Sequence, residues 1–144
     1  MKRAAPLLCA SLALLLAPTL RADSAELQGQ LRCERAAGPG RILCELTIDA
    51  PLGKLVWSDA LVVRAPAFAR PLRSRFVAQL GTAAGAEVGW AKFALVASES
   101  GQGQLELLAR GVVCHRSAAG EWCAPRVVSV TAQVEVTPPS APGR

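Results

Sequence analysis

Tyrosine is absent from this chain of 144 residues, and histidine and methionine each occur once. Without tyrosine, the domain cannot contain the tyrosine corner of true immunoglobulin domains. A single histidine leaves few candidates for acid–base or nucleophilic catalysis. Metalloprotease, P-loop, dinucleotide-binding and nucleophile-elbow motifs are also missing from the sequence. These absences disfavour most enzyme classes.

No apolar run has the roughly 20 residues that a membrane-spanning helix requires. The apolar run from Ala4 to Ala17 follows Lys2 and Arg3 and ends at Pro18. This pattern is typical of a secretory signal peptide. We therefore expect a protein exported to the periplasm or the extracellular space, with no transmembrane segment in the mature chain.

The predicted leader comprises residues 1–22, with cleavage after Ala22, and it includes Cys9. Residues 23–137 are predicted to form a single domain, because a chain of this length can bury one substantial core. Residues 138–144 are rich in proline and lack core-forming side chains, so we predict a disordered tail.

The net charge of +5 belongs partly to the leader. Removing Lys2, Arg3 and Arg21 lowers the 16 basic residues to 13 against 11 acidic ones, a net charge of +2. Such a small excess is weak support for an anionic partner. We expect no nucleic-acid partner.

Alternating apolar and polar residues recur along the chain, whereas helical periodicity is scarce. Alternation with a period of two is typical of strands with one buried face, and the clearest case is the valine-rich segment 126–137. Segment 87–97 also fits helical spacing, but Gly89 is unfavourable in a helix, so we predict a strand there. About eight short strands predict an all-β fold, an immunoglobulin-like two-sheet antiparallel β-sandwich.

Four cysteines remain in the mature chain: Cys33, Cys44, Cys114 and Cys123. Disulfides are the default for an exported protein, and four cysteines allow three pairings. Chain entropy gives about 2.7 kcal/mol for each short local loop and about 4.6 kcal/mol for a loop that closes most of the domain. Stability alone therefore does not favour local pairing. The two local pairs do lie at matching positions across their own turns, so we predict Cys33 with Cys44 and Cys114 with Cys123.

No metal or other cofactor is expected. A zinc site is disfavoured because the short C-x₂₋₄-C pairs of structural zinc sites are missing. His115 directly follows Cys114, so the two side chains would point to opposite faces of a strand. We therefore predict a histidine at the rim of the fold and no Cys/His nucleophile pair.

The two predicted disulfides differ in their surroundings. Cys33 and Cys44 occupy core-facing positions within strands, which predicts an inert structural bridge. Cys114 and Cys123 stand at the mouth of a loop where a thiolate would be accessible and close to positive charge. Since exposed bridges are the ones most easily reduced, Cys114 and Cys123 are the candidate redox pair. The simpler interpretation is that this bridge is structural, as most disulfides of secreted proteins are.

The run from Leu105 through Cys114, Gly120 and Cys123-Ala124-Pro125 into the closing valine strand, about residues 105–136, resembles the periplasmic immunoglobulin-like domain of thiol:disulfide interchange proteins. In that family, two cysteines on a hairpin carry electrons between a thioredoxin-like domain and client proteins. The resemblance implies that Cys114 and Cys123 perform oxidoreductase-type electron transfer with a thioredoxin-like partner. The chain departs from the family in the eight residues between these cysteines, in a single following proline and in its second cysteine pair.

Basic residues are concentrated from Arg64 to Arg75, and no acidic residue occurs between Asp59 and Glu87. Two prolines exclude this segment from a central strand, which predicts a crossing loop or an edge. The simpler interpretation is a solvated surface. The alternative is that its arginines bind lipid headgroups, an anionic glycan or an acidic partner. These candidate anion-binding residues are Arg64, Arg70, Arg73 and Arg75.

The sequence thus predicts a small exported β-sandwich with two disulfides, acting as a binding or structural module rather than as an enzyme. We expect a monomer with an unidentified protein partner. Two alternatives stay open. One is thiol–disulfide exchange through Cys114 and Cys123 with a thioredoxin-like partner, and the other is binding of an anionic envelope component through residues 64–75.

Overall fold

The computed structural model describes residues 26–140. The predicted leader, with Cys9, and the last four residues of the predicted tail lie outside this range. Nine strands follow one another along the chain: β1 (Gln28–Cys33), β2 (Gly40–Asp49), β3 (Lys54–Arg64), β4 (Ala69–Pro71), β5 (Arg75–Val77), β6 (Gln79–Ala83), β7 (Ala86–Ala97), β8 (Gly101–Ser117) and β9 (Gly120–Val136). Because residues 86–97 form β7, the strand predicted for 87–97 is confirmed. Residues 26–140 contain no helix able to cross a membrane.

The strands form two antiparallel sheets. Sheet A has the order β1-β2-β7-β4, and β6 also pairs with β7. Sheet B has the order β5-β3-β8-β9. The sheets pack face to face, and β1 of sheet A contacts β9 of sheet B along one side. The fold is therefore the two-sheet antiparallel β-sandwich that the alternation predicted, with nine strands instead of about eight.

The core lies between the sheets because each strand directs alternate side chains inward. On β8, Leu105, Leu107, Ala109 and Val113 are completely buried and Gly111 is buried as well, whereas the alternate residues 106, 108, 110 and 112 reach solvent. The inward residues of sheet A that complete this core include Ile42, Leu46 and Ile48 of β2 and Leu95 of β7. The predicted apolar face of the closing strand supplies Val130, Val134 and Val136.

Residues 69–83 cross from one sheet to the other and back. β4 pairs with one end of β7, β5 pairs with β3 of sheet B, and β6 returns to the other end of β7. The proline-containing segment is thus both an edge and a crossing. Because the chain leaves sheet A between β4 and β6, no strand within residues 26–140 pairs with residues 91–93 on this edge of β7.

One carboxylate is buried outside the core. Asp59 of β3 lies on the outer face of sheet B, yet its side chain has no exposed surface. Charged side chains are rarely buried unless they are paired, and Asp59 has two partners. Arg110 of β8 donates from Nε to Oδ1 at 2.8 Å, and Arg75 of β5 donates from Nε to Oδ2 at 2.8 Å. Asp59 therefore connects three strands of sheet B.

Replacing Asp59 with Asn tests the contribution of this carboxylate to stability. The amide keeps the shape but not the charge, so both arginines lose an ionised acceptor. We expect the free energy of unfolding to fall by about 2 kcal/mol, which is the range for hydrogen bonds to charged groups. Both guanidinium groups reach solvent, which limits the effect. Urea denaturation measures the change, and Glu99→Gln, at an exposed position, is the control.

The same carboxylate predicts a dependence of stability on pH. Hydrogen bonding by Arg110, followed by Arg75, holds the pKa of Asp59 below its ordinary value, although burial acts in the opposite direction. The unfolded chain therefore takes up this proton at a higher pH than the folded chain. The stabilisation is complete above about pH 4 and is lost as the pH falls towards the lower pKa of the folded state. The difference between wild type and Asp59→Asn should shrink below about pH 4. A difference that stays constant down to about pH 2 would contradict this assignment.

Candidate functional site

Both disulfides join residues that face each other across their own hairpin. Cys33 pairs with Cys44 between β1 and β2, and Cys114 pairs with Cys123 between β8 and β9. The Cα atoms are 4.0 Å apart in each bridge. These are the two local pairs that the turns predicted.

The first bridge belongs to the interior. Cys44 is buried within the hydrophobic core, and Cys33 is partly buried against it. Phe93 of β7 is the partner of Cys44 in the neighbouring strand. Apolar side chains therefore surround this bridge, as its core-facing positions predicted.

The second bridge lies on the outer face of sheet B. Val113 points into the core, so the adjacent Cys114 and its partner Cys123 point outward. Cys114 is buried by its surroundings, whereas Cys123 is exposed. The pairing of β3 with β8 ends at Cys114, and beyond it β8 and β9 pair only with each other among residues 26–140. Because a two-stranded ribbon is only marginally stable in water, the bridge fastens the hairpin where its third strand ends.

Beyond the second bridge, the hairpin is held by side-chain pairs on both faces. His115 stacks on Trp122, with the ring centroids 4.4 Å apart and the planes at 24°. The Nε2 atom of His115 lies 3.8 Å from Oε1 of Glu26 and has no hydrogen-bond partner among residues 26–140. His115 thus faces away from Cys114, and the two form no nucleophile pair.

Charges of both signs lie beside the second bridge, because Lys54 and Arg116 line the same depression as Cys114 and Glu121. The two sulfur atoms and a carboxylate oxygen of Glu121 lie within 4.8 Å of one another. Arg116 donates to that same carboxylate at 3.1 Å, so its positive charge is already compensated. A nearby carboxylate disfavours a thiolate. Both sulfurs are joined to each other here, which leaves no thiolate to bind a metal ion.

The four candidate anion-binding arginines do not converge. Arg64 ends β3 in sheet B, where its partner in register is Glu106. Arg75 is hydrogen-bonded to Asp59. The other two lie beside β7 of sheet A: Arg70 belongs to β4, and Arg73 follows shortly after it.

Two further cations join Arg70 and Arg73 on the outer face of sheet A. Arg41 of β2 and Arg70 of β4 flank Val96 of β7 in one row across the sheet, and Lys92 lies two rows away. We call this surface the basic face, which comprises the cations Arg41, Arg70, Arg73 and Lys92 and the exposed apolar residues Leu43, Leu72 and Val96. Within residues 26–140, none of its four cations forms an ion pair. The one carboxylate opposite them in register is that of Glu45, across from Lys92.

Two depressions adjoin where the edge of β7 is unpaired, and we call them together the edge notch. The larger has a volume of about 630 Å³ and the smaller of about 310 Å³, and both are lined by Arg73, Phe76 and Lys92. Phe76 is held by stacking on Phe93, with the ring centroids 4.6 Å apart. Ligand sites in proteins have volumes of roughly 300–1,000 Å³ and combine apolar walls with a few polar groups. The edge notch has this composition.

The sequence did not identify Arg41 and Lys92 as functional residues. Alternation places both residues on the polar side of their strands, and this was the one indication in the sequence that they lie on the outer face of the sheet. Their meeting depends on the pairing of β2 with β7, which joins segments about fifty residues apart in the chain. Local patterns do not encode that pairing.

No protein-family profile matches the chain, and no curated protein matches it in sequence. A comparison with solved structures finds similarity to a structure from work on fibronectin binding and biofilm formation by the AAF fimbriae of enteroaggregative Escherichia coli. It is 12% identical, covers 77% of this chain and 99% of its own, and gives a TM-score of 0.34. A similarity this low supports no inference, so the strand pairing itself defines the class: a β-sandwich stabilised by two disulfides.

Removing the second bridge should loosen the hairpin locally. Replacing Cys114 and Cys123 with alanine is expected to cost about 2.7 kcal/mol by the chain-entropy argument. In the described part of the chain, residues 115–122 have no third strand beside them, so their amides should lose protection from hydrogen exchange before the rest of the domain. Exchange measured by mass spectrometry or NMR checks this order.

The matched control replaces Cys33 and Cys44 with alanine. That bridge closes a loop of similar length, with a sequence separation of 11 compared with 9. Its loss should lower the stability of the whole domain without selective exchange at 115–122. Equal protection of 115–122 in both double variants would contradict the fastening role of the second bridge.

Proposed function

We propose that the protein is an exported binding module and that the basic face binds an anionic component of the cell envelope. The observation that carries this proposal is that Arg41, Arg73 and Lys92 line one depression of the edge notch, with Arg70 in the same row of the sheet as Arg41. None of these four cations is ion-paired within residues 26–140. The two disulfides support export, because such bridges persist in oxidising compartments. An oxidising envelope compartment would hold both the protein and such a ligand.

The chemistry of the basic face favours an anion that also carries apolar surface. Like charges held near one another repel, so a bound anion relieves this repulsion as well as forming its own contacts. Arginine presents a planar group that matches carboxylate and phosphate geometry. The exposed leucines Leu43 and Leu72 beside the cations offer contact surface for an apolar part of the same ligand.

Charge-matched variants test this proposal. Replacing Arg41 and Lys92 with glutamine removes two cations of the basic face, and replacing Arg64 and Arg116 removes two cations elsewhere. We expect the first variant to bind a soluble polyanion about tenfold more weakly at low salt, and the second to bind almost as the wild type does. Titration by calorimetry with dextran sulfate at several salt concentrations measures both. Equal losses in the two variants would show that net charge alone is responsible and would overturn the proposed site.

The second candidate function is thiol–disulfide exchange with a thioredoxin-like dithiol, which the resemblance to thiol:disulfide interchange proteins implies. Exposure of Cys123 favours it over exchange at the buried Cys44. A partner thiolate would attack the sulfur of Cys123 and release Cys114 as a thiolate, forming a mixed disulfide. The second thiol of the partner would then attack the partner's own sulfur in the mixed disulfide and release Cys123 as a thiolate. The partner becomes the disulfide, and Cys114 and Cys123 together gain two electrons and two protons.

The reduction potential separates exchange from a purely structural bridge. Equilibration with glutathione buffers, followed by alkylation and mass spectrometry, reports each cysteine pair separately. Exchange predicts that Cys114–Cys123 is reduced near about −200 mV while the fold persists, whereas Cys33–Cys44 stays oxidised. If both bridges resist reduction down to about −300 mV, this second candidate is excluded.

A further inference from the structure

The larger depression of the edge notch contains an exposed tryptophan. Trp90 of β7 is 40% exposed and lies on the outer face of sheet A. Its indole passes beside Gly81 of β6, where a Cβ atom would come within 3.3 Å of Nε1. A side chain at position 81 would therefore crowd the ring. Glycine at this position lets the indole lie against the backbone of β6 while its remaining surface faces solvent.

Polar groups of three kinds surround this ring. Gln79 is the partner of Trp90 in register and offers both a hydrogen-bond donor and an acceptor. Arg73 and Lys92 line the same depression and supply positive charge. Phe76, stacked on Phe93, also lines the depression. Arg75 lines it too, but its guanidinium group is bonded to Asp59. An aromatic surface, an amide and two cations without an ion pair among residues 26–140 thus share one depression.

These groups match the chemistry of an acidic sugar. The C–H groups on one side of a sugar ring carry partial positive charge and pack on the electron-rich face of an indole. Hydroxyl groups exchange hydrogen bonds with an amide, and a uronate carboxylate pairs with guanidinium and ammonium groups. A flat anionic lipid surface would use the cations but has no need of a recessed tryptophan beside an amide.

We propose that the edge notch binds the acidic sugar units of an anionic polysaccharide, with a ring on Trp90, hydroxyls on Gln79 and the carboxylate between Arg73 and Lys92. This inference rests on the proposed function, because it names the ligand class of the same surface. The smaller depression continues past Lys92 towards Arg41 and Leu43. The edge notch therefore has room for neighbouring units of a polymer, which a free monosaccharide would not use.

Affinity electrophoresis in native gels that contain polygalacturonate tests the proposal, with neutral dextran gels as the reference. Trp90→Ala should weaken the retardation by about fivefold to tenfold. Trp122→Ala is the matched control, because Trp122 is similarly exposed at 48% but lies on the β8–β9 hairpin. The Trp122→Ala variant should migrate as the wild type does. Free oligogalacturonate should abolish the retardation of both the wild type and Trp122→Ala. Circular dichroism checks that each variant is folded. Gln79→Leu, a smaller change expected to weaken the retardation about threefold, serves if Trp90→Ala is unfolded.

The outcomes separate this inference from the proposed function. Suppose that Trp90→Ala and Gln79→Leu are retarded as strongly as the wild type, whereas the variant that lacks Arg41 and Lys92 loses its retardation. This result would overturn the sugar site and leave anion binding intact. Sedimentation with vesicles of phosphatidylglycerol and phosphatidylcholine in the absence of polygalacturonate binding would point to a lipid surface and also overturn the sugar site. Failure to bind polygalacturonate, dextran sulfate and vesicles would refute both proposals.

Discussion

The hydrogen bond from Arg75 to the buried carboxylate of Asp59, which Arg110 of β8 also binds, joins β5 to sheet B, and the shape of the candidate site depends on that placement. β5 has only three residues, paired with β3 at three positions, so the contact between Arg75 and Asp59 reinforces the few backbone hydrogen bonds that fix it. With β5 in sheet B, the chain cannot continue along β7 between β4 and β6. The open edge at residues 91–93 and the adjoining notch result from this detour.

The sequence was sufficient to predict the strands that alternate over many residues, their buried faces and both disulfides. A long alternating segment such as 126–137 fixes its inward face by itself, and cysteines at matching positions about a turn fix a local bridge. The short strands β4, β5 and β6 have three to five residues each, so local alternation does not show where one strand ends and the next begins in the other sheet. The partnership of Asp59 with Arg110 spans 51 residues of sequence and depends on sheet pairing, which no local pattern specifies.

The two bridges have the same cross-strand geometry but different surroundings, and this difference comes from the lengths of the neighbouring strands. Cys44 has β7 beside it and the core beneath it. Cys114 is the last residue of β8 that pairs with β3, and the hairpin extends beyond this point. Its partner Cys123 is therefore exposed. Exposure of this bridge is therefore a consequence of its structural position, and exposure alone does not indicate redox activity. The carboxylate of Glu121 beside the sulfurs adds a physical reason to favour the structural role.

Net charge is a poor guide to where positive charge is available on this protein, because ion pairs are distributed unevenly over the two sheets. On sheet B and its hairpin, the arginines at 75, 110, 116 and 126 each contact a carboxylate. These contacts neutralise most of the charge on that side of the molecule. On the basic face, one carboxylate, that of Glu45, lies opposite a cation in register, and residues 60–86 contain none. The four cations of the basic face therefore have no ion pair among residues 26–140, and the distribution of the carboxylates matters more than the total charge.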